Sequence, residues 1–101
     1  MKLQMHSVHF TADQKLLDFI QKKVDKLETF YDRILDGEVF LRIDKGEHKK
    51  DNKVAEVKIN LPGNTLFSKE QAGSFEAATD AAVESLRRQL KKHKEKLFAK
   101  H

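Results

Sequence analysis

Cysteine is absent from the 101-residue chain. No disulfide framework, thiol nucleophile or cysteine-ligated zinc site can therefore form. The absence fits a cytoplasmic protein. Proline occurs once, at Pro62. The four glycines, Gly37, Gly46, Gly63 and Gly73, form no phosphate-cradling motif. No apolar run reaches transmembrane length, and the amino-terminal residues lack the apolar stretch of a secretion signal. No membrane partner is expected. Nor is an exposed aromatic run expected that would stack bases: the phenylalanines fall mostly at core positions, with Phe40 the exception.

Charge, by contrast, is plentiful. Charged residues make up 36% of the chain against 39% hydrophobic. The hydrophobic share suffices for one small core, and the length is that of one domain. The net charge of +4 is unevenly placed. Residues 86–101 hold seven basic residues (Arg87, Arg88, Lys91, Lys92, Lys94, Lys96, Lys100) and one acid, Glu95, for a local charge of +6. The other eighty-five residues sum to −2. A near-neutral body with a basic end suggests an anionic partner.

Hydrophobic spacing predicts the elements. Leu3 and Met5 alternate with Lys2 and Gln4, giving a first strand over Lys2–Val8. Thr11-Ala12-Asp13-Gln14 has capping-box spacing, with Thr11 as the cap. A helix follows to about Tyr31, its apolar stripe being Leu16, Leu17, Ile20, Val24, Leu27 and Tyr31. Asp36-Gly37 reads as a chain break. Val39, Leu41 and Ile43 predict a second strand, residues 45–52 a charged hairpin loop, and Ala55, Val57, Ile59 and Leu61 a third strand. Pro62-Gly63-Asn64 is a turn, and Thr65–Gln71 a fourth strand. Ser74 caps a last helix that starts at Phe75 and meets no proline or glycine through His101. Its core side should be Phe75, Ala82, Val83, Leu86, Leu90 and Leu97. The expected fold is a single α+β domain of order β-α-β-β-β-α. Strands two to four form an antiparallel meander in a four-stranded sheet, with both helices packed on one face, as in double-stranded-RNA-binding domains.

The helices carry the sharpest pattern. At about 100° per residue, Lys15, Lys22 and Lys26 fall within an arc of roughly 40°, opposite Asp18, Asp25 and Glu28. On the last helix, Arg88, Lys92 and Lys96 form one stripe beside the core face, and Arg87, Lys91 and Lys94 a second on the other flank. Sorted stripes on neighbouring helices predict a continuous basic groove suited to phosphates. Six phosphate contacts would give a slope of log affinity against log salt of about −4 to −5. Such contacts position a protein on nucleic acid without reading sequence, so recognition by shape is expected.

Catalytic patterns are weak. His6 and His9 should point to opposite faces of a strand. His48 lies in the charged loop, and His93 on the core edge of the last helix. Asp44, Glu47 and Asp51 lack a regular cation-loop pattern. Three readings stay open on the residues alone: a general double-stranded-RNA-binding module, a metal-dependent hydrolase or nuclease using Asp44, Glu47 and His48, and a subunit whose basic helix meets an acidic protein.

Three segments resemble one family. Leu16–Asp32, LLDFIQKKVDKLETFYD, is similar to the first helix of the ribosome hibernation-promoting factors, also called ribosome-associated inhibitors or sigma-54 modulation proteins. Val54–Leu66, VAEVKINLPGNTL, resembles that family's strand-turn-strand, and Phe75–Leu97, FEAATDAAVESLRRQLKKHKEKL, its last helix. The resemblance implies a non-enzymatic stress or stationary-phase factor. Such a factor binds small-subunit ribosomal RNA in the channel of mRNA and tRNA, and needs no cofactor, metal or small-molecule substrate. It also implies the RNA-facing residues. Lys26 matches the family's Lys-Leu-Glu motif, Arg88 its Arg-Gln-Leu motif, and Lys92, Lys94 and Lys96 the basic run that follows. Lys22, Lys23 and Lys91 stand at positions that are often basic. Arg87 departs from a commonly acidic position, Ser85 from a lysine and Glu76 from an aromatic. Residues 1–101 would then be a single ribosome-binding domain, of the short form that lacks the carboxy-terminal dimerisation domain.

Overall fold

The computed structural model describes residues 1–46 and 50–98. Its elements are β1 (Leu3–Val8), α1 (Gln14–Asp25), a 3-10 turn (Lys26–Thr29), β2 (Asp36–Ile43), β3 (Lys53–Leu61), β4 (Asn64–Ala72) and α2 (Phe75–Phe98). The sheet order is β1-β2-β3-β4. β1 runs parallel to β2, so α1 is the crossover that returns the chain. β2, β3 and β4 form the antiparallel meander. The result is the α+β domain expected, with a mixed four-stranded sheet.

Register sorts the strand residues onto two faces. Val39, Leu41, Ala55, Val57, Ile59, Leu61 and Leu66 share one core with Leu16, Ile20, Val24 and Leu27 of the first helical segment and Phe75, Ala78, Ala82, Leu86 and Leu90 of α2. Both helices therefore cover the same sheet face. Pro62-Gly63 closes the β3–β4 hairpin, with Leu61 opposite Asn64 and Gly63 at φ 75°. Proline presets the first turn residue, and glycine takes the left-handed second.

Several local expectations are corrected. Asp13, not Thr11, caps α1: its backbone is extended, and its carboxylate accepts the Leu16 amide at 2.9 Å. The α-helix stops at Asp25 rather than near Tyr31. Thr29 donates its hydroxyl to the Lys26 carbonyl at 2.6 Å. The amides of Phe30 and Tyr31 both converge on the Leu27 carbonyl. A β-branched residue and two aromatics favour helix weakly, and the hydroxyl competes for a carbonyl. Asp36-Gly37 does not break the chain but opens β2. Gly37 donates its amide to the Lys2 carbonyl at 3.0 Å, and a Cβ there would stand 2.9 Å from Leu3 Cδ1. Close approach of β1 is what this glycine allows.

Ser74 caps α2 as expected, accepting the Ala77 amide at 3.0 Å. Val83 is only half-buried, and Leu97 is exposed. Asn64, the first residue of β4, reaches His93 at 3.3 Å, so the helix passes the sheet's edge near His93. The last turn of α2 to Phe98 projects beyond the strands. Ile43, at the end of β2, is likewise exposed. The predicted residues Glu47 and His48, and the helix end from 99 to 101 with Lys100, lie outside the described residues. No helix among the described residues is long and apolar enough to cross a membrane.

Candidate nucleic-acid interface

Each flank of α1 has a separate task. Gln21 donates to the Met1 carbonyl at 3.1 Å, and the Met1 amino group pairs with Asp25 at 2.8 Å and Glu28 at 2.6 Å. These two carboxylates raise the amino group's pKa above 8.0. The acidic flank thereby closes over the start of β1. The opposite flank carries Lys23, which pairs with Asp80 of α2 at 3.0 Å and lies over the Phe19 ring. Lys22 and Lys26 follow on that side and pair with no carboxylate among the described residues.

On α2 the two expected stripes separate. Arg87, Lys91 and Lys94 face the 3-10 turn of the first helical segment. The Arg87 guanidinium lies 5.7 Å from the Phe30 ring centre, and Lys94 donates to the Phe30 carbonyl at 2.9 Å. Gln89 instead donates to the Phe67 carbonyl on β4 at 3.0 Å. Lys92 and Lys96, three and seven residues later, continue along that side. Lys92 and Lys96 therefore lie toward the β4 flank, and Arg88 on the outer side of α2 beside Glu84. One groove with both stripes inside it does not form. The structure has a central crest on α2 with cations down each side, and one side joins Lys22, Lys23 and Lys26.

Acids are scarce on this surface. Glu84 grips Arg87 through two hydrogen bonds, at 3.1 and 2.5 Å, and lies 3.7 Å from Arg88. The Arg87 contacts hold the Glu84 carboxyl below its ordinary pKa. Of the nine expected RNA-facing residues, Lys23, Arg87 and Arg88 have carboxylate partners, and Lys94 has the Phe30 carbonyl. Lys22, Lys26, Lys91, Lys92 and Lys96 have none among the described residues. A lysine ammonium without a partner keeps its counterions and can exchange them for phosphates.

Three aromatics missed by the sequence reading also stand on the surface: Phe30, Phe67 and Phe98 are exposed. Phe30 and Phe98 line a cleft of about 620 Å3 with Thr29, Arg87, Lys91, Lys94 and Glu95. Phe30 interrupts the α1 periodicity, and Phe98 lies past the point where the sheet ends. His93 packs as expected, edge-on to Tyr31 at 5.3 Å. His6 stacks on Phe40 on the open sheet face and bonds Glu38 at 2.8 Å. His9 stands in the turn after β1, at φ 65°. Asp44, offered as a catalytic acid, accepts from Gly46 at 3.0 Å and Gln71 at 3.3 Å, which is a loop-closing role.

Comparison with known proteins agrees with this architecture. The ribosome hibernation promoting factor of Escherichia coli K12 is 32% identical over 97 residues, covering 96% of this chain and 97% of that protein. The factor of the same name from Pseudomonas putida is 30% identical over 96 residues, covering 95% and 89%. A ribosomal subunit interface protein from Coxiella burnetii has the same fold, with a TM-score of 0.81, 22% identity and coverage of 93% of this chain and 98% of that one. The family described as Sigma 54 modulation protein / S30EA ribosomal protein matches residues 3–97, from the first strand to the projecting end of α2, and the chain belongs to it.

Proposed function

We propose that this protein is a cytoplasmic ribosome hibernation factor. It binds small-subunit ribosomal RNA in the channel used by mRNA and tRNA, and inhibits translation under stress or in stationary phase. The reading rests on one observation above the rest: the helical face presents Lys22, Lys26, Lys91, Lys92 and Lys96 without carboxylate partners among the described residues. Family membership and the names of its relatives support the same partner.

Inhibition on this reading needs no bond chemistry. The two helices occupy RNA-lined space and exclude the normal occupants by volume and charge. Lys22, Lys23, Lys26, Arg87, Arg88, Lys91, Lys92, Lys94 and Lys96 are the RNA-contacting residues. The arginines hold phosphate oxygens with planar forks, and the lysines act as point charges. Five unpaired lysines each releasing counterions give a salt slope of about −3.5 to −4.5.

Sedimentation of the purified protein with ribosomes across a salt series tests the proposal. Expected is co-migration with the small subunit or whole ribosome, lost steeply with salt and competed by mRNA with initiator tRNA. Absence of co-migration at low salt overturns it. Equal affinity for free RNA duplexes would replace it with a general duplex-binding module.

A further inference from the structure

The cleft between the 3-10 turn and the projecting end of α2 has a composition that phosphate binding alone does not call for. Two exposed phenylalanines, Phe30 and Phe98, share its wall with Arg87, Lys91 and Lys94, against a single acid, Glu95. An adjoining cleft of about 660 Å3 uses the same two rings but adds Glu28 and Asp32 opposite Arg33, so it gains no positive charge. Exposed rings cost free energy in water, and a packed helix end has no structural need for them. Cations beside aromatic faces form the combination that single-stranded nucleic acid recognises: bases stack on rings while phosphates meet ammonium and guanidinium groups.

We propose that this cleft is a subsite for one unstacked nucleotide, with its base on Phe98 and Phe30 and its phosphate at Lys91 and Arg87. The inference deepens the RNA-binding reading and rests on it. The parts have distinct tasks. Lys94 fixes the Phe30 carbonyl at 2.9 Å, which holds the backbone beneath that ring. Arg87 lies over Phe30 at 5.7 Å and sets a positive charge beside that ring. Lys91 has no carboxylate partner among the described residues and is available to phosphate. Neither ring offers a hydrogen-bonding group, so the subsite accepts any base. It distinguishes an unpaired nucleotide from one locked in a duplex. The chemistry is shared by an unpaired residue of RNA and a free mononucleotide.

The test compares two short single-stranded oligomers by fluorescence anisotropy at fixed salt: oligouridylate, and its abasic ribose-phosphate counterpart. The native chain should bind the base-bearing oligomer about 5- to 150-fold more tightly. Phe98→Ala should abolish that preference and leave the salt slope unchanged. Phe98 is 68% exposed, so its removal leaves the core intact. Phe30→Leu should reduce the preference in part, and Lys91→Gln should weaken both oligomers alike. Equal binding of the two oligomers by the native chain overturns the subsite, as does a preference that survives in both phenylalanine variants. Uridine monophosphate at millimolar concentration separates the two sources: competition supports a site open to free nucleotides, and its failure beside a persisting base preference supports an RNA residue. Ribosome sedimentation of the same variants keeps the two readings apart. A base preference without ribosome binding would sink the hibernation role alone. Ribosome binding without a base preference would sink the subsite alone.

Discussion

The two broad surfaces of this domain draw on the same residue types and arrange them oppositely. On the open face of the sheet, charges meet across strands. Glu38 bonds His6 and lies 3.4 Å from Lys58, Arg42 pairs with Glu56, and Asp36 accepts from Asn60 at 2.6 Å. On the helical face the acids are used elsewhere: Asp25 and Glu28 hold the Met1 amino group, and Asp80 holds Lys23. What remains is a set of lysines without carboxylate partners among the described residues. A basic surface therefore depends as much on where the acids go as on how many lysines the chain has. The sheet face, where Glu38 and Glu56 already hold Lys58 and Arg42, has less to gain from an anion.

Charge reversal tests this contrast most severely. Arg88→Glu with Lys92→Glu should weaken ribosome binding about 100-fold near 0.1 M salt and make the salt slope shallower by about 2. The matched reversal on the sheet, Lys58→Glu with Arg42→Glu, should leave binding nearly unchanged. Sedimentation at several salt concentrations reads both. Equal losses from the two pairs would remove the distinction between the faces.

A second effect comes from the core beneath both faces. Thr79 is fully buried on α2, and its hydroxyl has no hydrogen-bond partner. Thr79→Val keeps the shape and removes the unsatisfied group. It should stabilise the fold by about 1 kcal/mol, raising the melting temperature by about 4–8 °C. Ribosome affinity should not move, because neither surface changes. A variant that melts lower would mean the hydroxyl is satisfied in solution.

Periodicity made much of this arrangement legible. The alternation through Ala55, Val57, Ile59 and Leu61 identified the central strand and its inner face, and Ser74 before Phe75 identified the start of α2. The stripes on α2 follow its own axis, whereas Lys26 and Glu28 of the first segment fall in the 3-10 turn past the end of α1. What the pattern could not contain was the neighbour each stripe meets. Arg88, Lys92 and Lys96 look symmetrical with Arg87, Lys91 and Lys94 on a helical projection. Only the packing of Gln89 on Phe67 and of Arg87 on Phe30 separates a β4 flank from an α1 flank. The exposed rings were hidden for a related reason. Phenylalanine reads as core unless the end of the sheet is known, and Phe98 lies beyond it. Gly37 was taken for a break because a close approach between strands leaves no mark on one strand's own pattern.

Glu84 offers a finer probe, being the acid that grips an α2 arginine. It holds Arg87 through two hydrogen bonds and approaches Arg88. Glu84→Gln should free both arginines and strengthen ribosome or RNA binding about threefold, with a salt slope steeper by a little under one. Weaker binding would instead show that Glu84 positions Arg87 for its contact. That outcome would place the pair beside Phe30 as a preformed unit.

The smallest effect separates the two flanks of α1. The Met1 amino group is held above its ordinary pKa of 8.0, first by the Asp25 hydrogen bond and then by that of Glu28. Because the folded value is raised, the native state retains a proton that the unfolded chain releases. The stabilisation is present in full below pH 8.0 and is lost as pH rises through the folded value. Melting temperature should therefore decline modestly across that window, and Asp25→Asn with Glu28→Gln should flatten the decline. RNA affinity at constant salt should hold steady across the same window. The acidic flank would then be a clasp on β1 and nothing more. If affinity instead fell in step with stability above pH 8.0, the clasp and the basic flank would be coupled through α1.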